Sequence, residues 1–136
     1  VAKGRMINRH RQGYIYLIRR ADGWYKIGRT ANLYQRMRVL RWEKGRQHRL
    51  VLLSLIKVDD QIMVEKLLHH IFATKRTAER YRGMGAGMEW FLLSNADLFC
   101  WATWADIIGE KVIYMNICLT EKNWLAQLRG IIDGWL

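Results

Sequence analysis

The sequence contains no proline, only two cysteines and only four histidines in 136 residues. The lack of proline fits a chain with few rigid linkers. Cys100 and Cys118 make neither a disulfide framework nor a four-ligand zinc site. With no CxxC pair and so few histidines, a structural zinc is not expected. This cysteine usage suits a reducing, cytoplasmic setting. Long apolar runs are missing too: stretches such as Leu50 to Leu53 fall far short of the ~20 residues a membrane span needs. Residues 1 to 12 hold no apolar stretch of the secretory kind. Internal repeats and low-complexity segments are absent. Acidic residues are scarce at one end: residues 1 to 49 carry fourteen Lys and Arg against two acids, Asp22 and Glu43.

That segment has a balance of +12, while the remainder carries nine bases against ten acids, so nearly all of the net +11 is concentrated there. A pI near 10.1 with this asymmetry points to a polyanionic partner. A membrane surface would want the bases opposite an apolar face on one long helix. Here they are spread over a tail, a hairpin and a helix, which favours nucleic acid. About half of the residues are apolar, enough for one folded domain with a modest core and a short appendage.

Residues 1–12 read as a basic arm carrying Lys3, Arg5, Arg9 and Arg11, disordered until it meets a phosphate backbone. Tyr14 to Ile18 and Trp24 to Ile27 are β-forming runs, and Asp22-Gly23 between them supplies the turn of a hairpin. Asn32 and Gln35 look like a helix N-cap pair, and the helix runs to about Glu43 with Leu33, Met37 and Leu40 as its apolar stripe. A buried strand is expected over 49 to 58. A second helix, capped by Asp59 and Asp60, is expected to reach about Thr74, with Met63, Val64, Leu67, Leu68, Ile71 and Phe72 on its apolar face. After a glycine-rich loop, Gly83 to Gly87, come a short buried strand or turn at Glu89 to Leu93 and a helix from Asn95 to Ile108. A strand from Val112 to Cys118 and a helix capped by Thr120 follow.

With the hairpin, helix, strand and helix in this order, the sequence resembles the GIY-YIG nuclease superfamily. Tyr14-Ile15-Tyr16 stands at the first half-motif and Lys26-Ile27-Gly28 at the second, the latter in the form of a phage-associated branch. Thr30, the Asn32-Leu33 pair, Arg36 eight residues after the glycine and Glu65 on the helix after the third strand continue the match, with His69, Phe72 and Glu89-Trp90-Phe91 following. Two departures stand out: Leu40 occupies the place of a frequent histidine, and the late asparagine has no clear counterpart, Glu89 lying nearest to it.

The resemblance implies an α+β fold, a small three-stranded antiparallel sheet flanked by helices over 13–95. A tryptophan-rich strand-helix appendage over 96–136 would pack on that core, or form an interface with a second copy or a larger nucleoprotein assembly. It implies a metal-dependent endonuclease acting on DNA inside a cell, with a phage-infected cell as one setting. Glu65 would ligate Mg²⁺ or Mn²⁺, a hard ion that takes oxygen ligands and keeps several waters. Arg36 and Lys26 would stabilise the phosphate in the transition state, and Tyr16 would position or deprotonate the attacking water. An unperturbed tyrosine titrates at ~10, so that role needs nearby cations. Arg29, Thr30, Arg38 and Arg41, with the arm, are expected to contact the nucleic acid. The alternative is an inactive subunit that keeps the fold and the binding, to which Leu40 and Lys26 lend support.

Overall fold

The computed structural model describes residues 11–43, 48–76 and 90–135. Lys3, Arg5, Arg9, the Gly83 to Gly87 loop and Glu89 lie outside the described residues. The chain opens with strands β1 (Gly13–Arg20) and β2 (Tyr25–Thr30), paired antiparallel with Tyr16 opposite Gly28 and Ile18 opposite Lys26. Gly23 turns the hairpin at a φ of 97°, a conformation that costs glycine little and other residues more. Helix α1 (Leu33–Glu43) follows, entered through a tight polar turn. Asn32 Oδ1 accepts from the Gln35 amide, while the Thr30 hydroxyl bonds both the N–H and the carbonyl of Asn32.

Strand β3 (Leu50–Val58) pairs with the other edge of β1, and α2 (Gln61–Ile71) starts at the Asp60 cap, whose carboxylate accepts from the Met63 amide. A single 3-10 turn (Ala73–Lys75) continues the chain past Phe72. Then come β4 (Trp90–Phe91), α3 (Asn95–Ile108), β5 (Lys111–Cys118) and α4 (Trp124–Trp135). Helix α3 is closed by a reciprocal capping box between Ser94 and Asp97.

The sheet has five strands, all antiparallel, in the order β4-β2-β1-β3-β5, and the fold is α+β. The expectation of three strands is therefore corrected. Trp90 and Phe91 add a short strand to the edge of β2, and the strand of the supposed appendage adds itself to β3. Local pattern gave both segments as extended, but which edge they join depends on long-range pairing that sequence spacing does not encode.

Helices cover both faces. One core contains Tyr16, Ile18, Leu52, Leu55 and Trp90 with Leu33, Met37 and Leu40 of α1 and Trp124, Leu128 and Ile132 of α4. The other contains Ile15, Leu17, Ile27, Ile56 and Phe91 with Val64 and Leu68 of α2 and Trp101 and Ala105 of α3. A central strand buried on both faces must be apolar at successive positions, which explains the unbroken runs in β1 and β3. The Trp101 indole N–H finds the buried Ser54 hydroxyl at 3.2 Å, so this polar edge is satisfied inside the core.

Two details differ from expectation. Met63 and Leu67 are exposed, because the face of α2 that meets the sheet runs through Gln61, Val64 and Leu68. Thr120 does not cap α4. Its hydroxyl bonds Cys118 Sγ at 3.0 Å, and the helix begins four residues later.

Candidate active site

Five elements converge at the end of the hairpin where β2 runs into α1. Tyr16 from β1, Arg29 and Thr30 from β2, Ala31 from the connection, Arg36 from α1, and Gln61 and Glu65 from α2 line one pocket of about 490 Å³.

Tyr16 reaches it because β2 presents a glycine opposite. The phenol ring lies directly over Gly28, in the space a Cβ would take, so the pairing of Tyr16 with Gly28 sets where the hydroxyl sits. The ring is buried at 1 % exposure, and its oxygen accepts a hydrogen bond of 3.1 Å from Arg36 Nε. Arg36 is brought there by the three-residue step from Leu33 and the four-residue step to Leu40, both buried, which fix the rotation of α1.

Across the pocket, Gln61 and Glu65 are one turn apart on the same side of α2. Glu65 Oε1 lies 3.4 Å from Arg29 Nε, with the carboxylate mostly shielded and the guanidinium half-exposed. Such a pair, open to water on one side, is weak and exchangeable. His69, one turn beyond Glu65, turns away from the pocket. Its Nε2 lies 2.7 Å from the Ile27 carbonyl, just past the point where the two-residue pairing with β4 ends. A carbonyl only accepts, so Nε2 carries the proton, and the ring packs on Phe91.

Gln61 is the residue that sequence reasoning missed. It is 3 % exposed; its Nε2 donates to the Gln12 carbonyl at 3.3 Å, and its backbone N–H donates to the Arg11 carbonyl at 2.7 Å. Its Oε1 is buried with no donor among the described residues. A buried acceptor left bare is costly, about 1–3 kcal/mol. The four-residue spacing to Glu65 was the available signal.

The other expected residues fall elsewhere. Lys26 does not line the pocket: it is buried two positions along β2 from Gly28, its Nζ 5.4 Å from the centre of the Trp90 ring. Arg11 pairs with Asp60 at 3.1 Å, tying the start of the described chain to the cap of α2. Arg38 is exposed on the outer side of α1, and Arg41 is half-buried, its Nε without a partner among the described residues.

Among the described residues no cluster of three or more His, Cys, Asp or Glu is positioned to hold a metal. A closed protein cage is thus not formed there. A hard divalent ion bound through Glu65 and keeping most of its water suits this lining better, because such an ion needs only one or two carboxylates. Among the described residues no helix is long and apolar enough to cross a membrane.

A family model described as the T5orf172 domain matches residues 13–106, which takes in the pocket, both half-motif strands and most of α3. No curated protein and no solved structure matches the chain.

Proposed function

The chain belongs to the T5orf172 domain family, a phage-origin domain, and from that footing we propose that it is a metal-dependent endonuclease of GIY-YIG type that hydrolyses DNA phosphodiester bonds. The observation that carries this reading is the convergence of Tyr16, Arg36, Arg29 and Glu65 on one pocket from four separate elements. Positive charge, a hydroxyl and a carboxylate around a single concave space are what in-line attack on a phosphodiester requires.

In this reading the scissile phosphate enters between Arg29 and Arg36, whose planar forks take its non-bridging oxygens as charge builds on them. The Tyr16 oxygen, receiving the Arg36 N–H, would act as the phenolate: it orients the attacking water and takes its proton, becoming the neutral phenol. A permanently charged donor favours negative charge on the oxygen that accepts from it. Burial of the ring against Gly28 fixes that oxygen, so little reorganisation is needed at the moment of attack. Glu65 would hold Mg²⁺ or Mn²⁺; when bound, the ion would supply Lewis-acid stabilisation of the phosphate and the leaving oxygen. Lys26, away from the pocket, is assigned no direct contact with the phosphate.

A second reading has one observation in its favour. Glu65 is ion-paired with Arg29, and an inactive binding subunit would keep that pair permanently. The two readings separate on an end-labelled DNA duplex incubated with Mg²⁺, Mn²⁺ or EDTA, with Tyr16→Phe and Arg36→Gln alongside. The nuclease yields shorter fragments only with metal, and each variant slows their appearance by ~10²-fold or more. Salt-sensitive binding that persists in EDTA, with no fragments under either metal, would establish the binding subunit instead.

A further inference from the structure

At the other end of β1, beside the hairpin turn, Arg19, Ala21, Arg49, Val51 and Asn116 line a separate cavity of about 370 Å³. Arg19 sits opposite Val51 in the β1–β3 ladder, and the Arg49 carbonyl accepts the Ala21 amide at 2.9 Å, so the backbone holds both arginines to this spot. Arg49 is anchored further. Its Nε donates to Cys118 Sγ at 3.2 Å, and that sulfur is bonded in turn to the Thr120 hydroxyl. Using Nε for the anchor leaves the two terminal nitrogens of the fork for another acceptor.

Among the described residues no carboxylate lines this cavity. Glu121, the acid whose field reaches Arg49, is not part of its wall. Arg20, the neighbour of Arg19, shows the contrast: its guanidinium is buried and gripped at 2.7 Å by Asp22. Arg19, exposed on β1, and Arg49 instead bring two positive charges to one concavity whose described lining holds no acid, with a neutral amide, Asn116, as a third polar group. Two planar forks and an amide donor match a tetrahedral oxyanion bearing several acceptors.

We propose that this cavity is a second phosphate site, which takes a backbone phosphate of the nucleic acid away from the one being cut. The proposal rests on the nucleic-acid reading above. Arg29 of the first pocket lies across from Ile15, and Arg19 is four positions further along β1. At ~3.3 Å per residue the two sites are about 13 Å apart along the strand. The second site sets the register of the substrate without touching the reacting atoms.

The test measures binding of a 20-base-pair duplex by fluorescence anisotropy across a NaCl series, in EDTA so that cutting does not intervene. Arg19→Gln, the double variant Arg19→Gln/Arg49→Gln, and Asn116→Leu are compared with the parent, and thermal melting checks that each folds. Arg19→Gln leaves the Cys118 anchor untouched, so it reports even if the double variant is unstable. The expected result for Arg19→Gln is a salt slope shallower by about one and an affinity loss of ~5–20-fold at moderate salt. Asn116→Leu, which alters no charge, is expected to weaken binding several-fold, an effect that bare charge removal would not produce. A parent-like slope for Arg19→Gln together with parent-like affinity for Asn116→Leu overturns the proposal while leaving the nuclease reading standing. A parent that binds no DNA at all overturns both. Inorganic phosphate that raises the melting temperature of the parent but not of Arg19→Gln, alongside unchanged DNA binding, would assign the cavity to free phosphate and also overturn the proposal.

Discussion

Replacing Gly28 by alanine tests the geometry of the site through a residue that carries no functional group. A Cβ there would lie 2.7 Å from Cε1 of Tyr16 and closer still to the hydroxyl end of the ring. Carbon atoms settle at ~3.5–4.0 Å, so the phenol must move by roughly 1 Å or more. It is buried, with Leu33, Leu55 and Trp90 in the same core, and has little room to give. Forcing a methyl into such a place costs about 1–3 kcal/mol, and loss of the bond from Arg36 adds about 1 kcal/mol or more. A total of about 2–4 kcal/mol corresponds to a fall in melting temperature on the order of 8–16 °C for a chain of this size. Catalysis should suffer to a similar extent, because a 1 Å misplacement of a reacting group costs on the order of 10²-fold, about 3 kcal/mol. The assay is thermal melting and single-turnover cleavage of parent, Gly28→Ala, Tyr16→Phe and the double variant. In the Tyr16→Phe background the atom nearest the new methyl is gone, so Gly28→Ala should cost less stability and add little further loss of rate. A Gly28→Ala protein that melts and cuts like the parent would refute the reasoning outright.

Other outcomes follow from the same structure. Asp22→Asn removes the charge that faces the buried Arg20 guanidinium at 2.7 Å, and since Asp22 itself is partly exposed the expected loss is about 1–3 kcal/mol, read by urea denaturation. Stability should also fall at low pH. The Arg20 bond holds Asp22 below the usual carboxylate range, as the Met63 amide does Asp60; at Asp97 burial pushes up but Ser94 and Lys75 outweigh it. Groups depressed on folding stabilise above their unfolded values, so melting temperature should hold down to about pH 5 and drop as pH passes below about 4; a curve level down to pH 2 would contradict this. Ser94→Ala should cost about 1 kcal/mol through loss of the α3 cap, measured by thermal melting. Gln61→Glu, which places a carboxylate beside Glu65, should tighten Mn²⁺ binding measured by calorimetry without DNA, whereas a purely structural Gln61 would leave it unchanged or weaker.

Much of the fold was legible because its signals are local. Asp22-Gly23 sets the hairpin, Asn32 and Asp60 open their helices, and the stripe Leu33, Met37 and Leu40 is buried as the period of 3.6 requires. Helix α3 spans the residues that its pattern gave, Asn95 to Ile108. What was not legible is long-range. The joining of Trp90-Phe91 to β2 and of β5 to β3 leaves no mark in residue spacing, because each strand looks the same whichever edge it meets. The apolar Met63 and Leu67 drew the inner face of α2 too wide, whereas polar Gln61 lies on it. At the site, the motif order gave Tyr16, Arg36 and Glu65, which the fold brings to one pocket. Lys26 shares the Tyr16 face of the sheet with Gly28 but lies two positions along β2, opposite Trp90 and outside the pocket lining. Gln61 carried only its four-residue spacing to Glu65 as a signal, because its interest lies in a buried acceptor without a donor, a property of packing that residue type does not disclose.

The most direct test of the central claim is nicking of supercoiled plasmid by purified protein in Mg²⁺, Mn²⁺ and EDTA, with Glu65→Ala run beside it and DNA binding measured for both. The account predicts open-circular product with either metal, none in EDTA, and none from Glu65→Ala, whose DNA binding stays close to that of the parent. Glu65→Ala nicking at the parental rate, or parental nicking undiminished in EDTA, would contradict it.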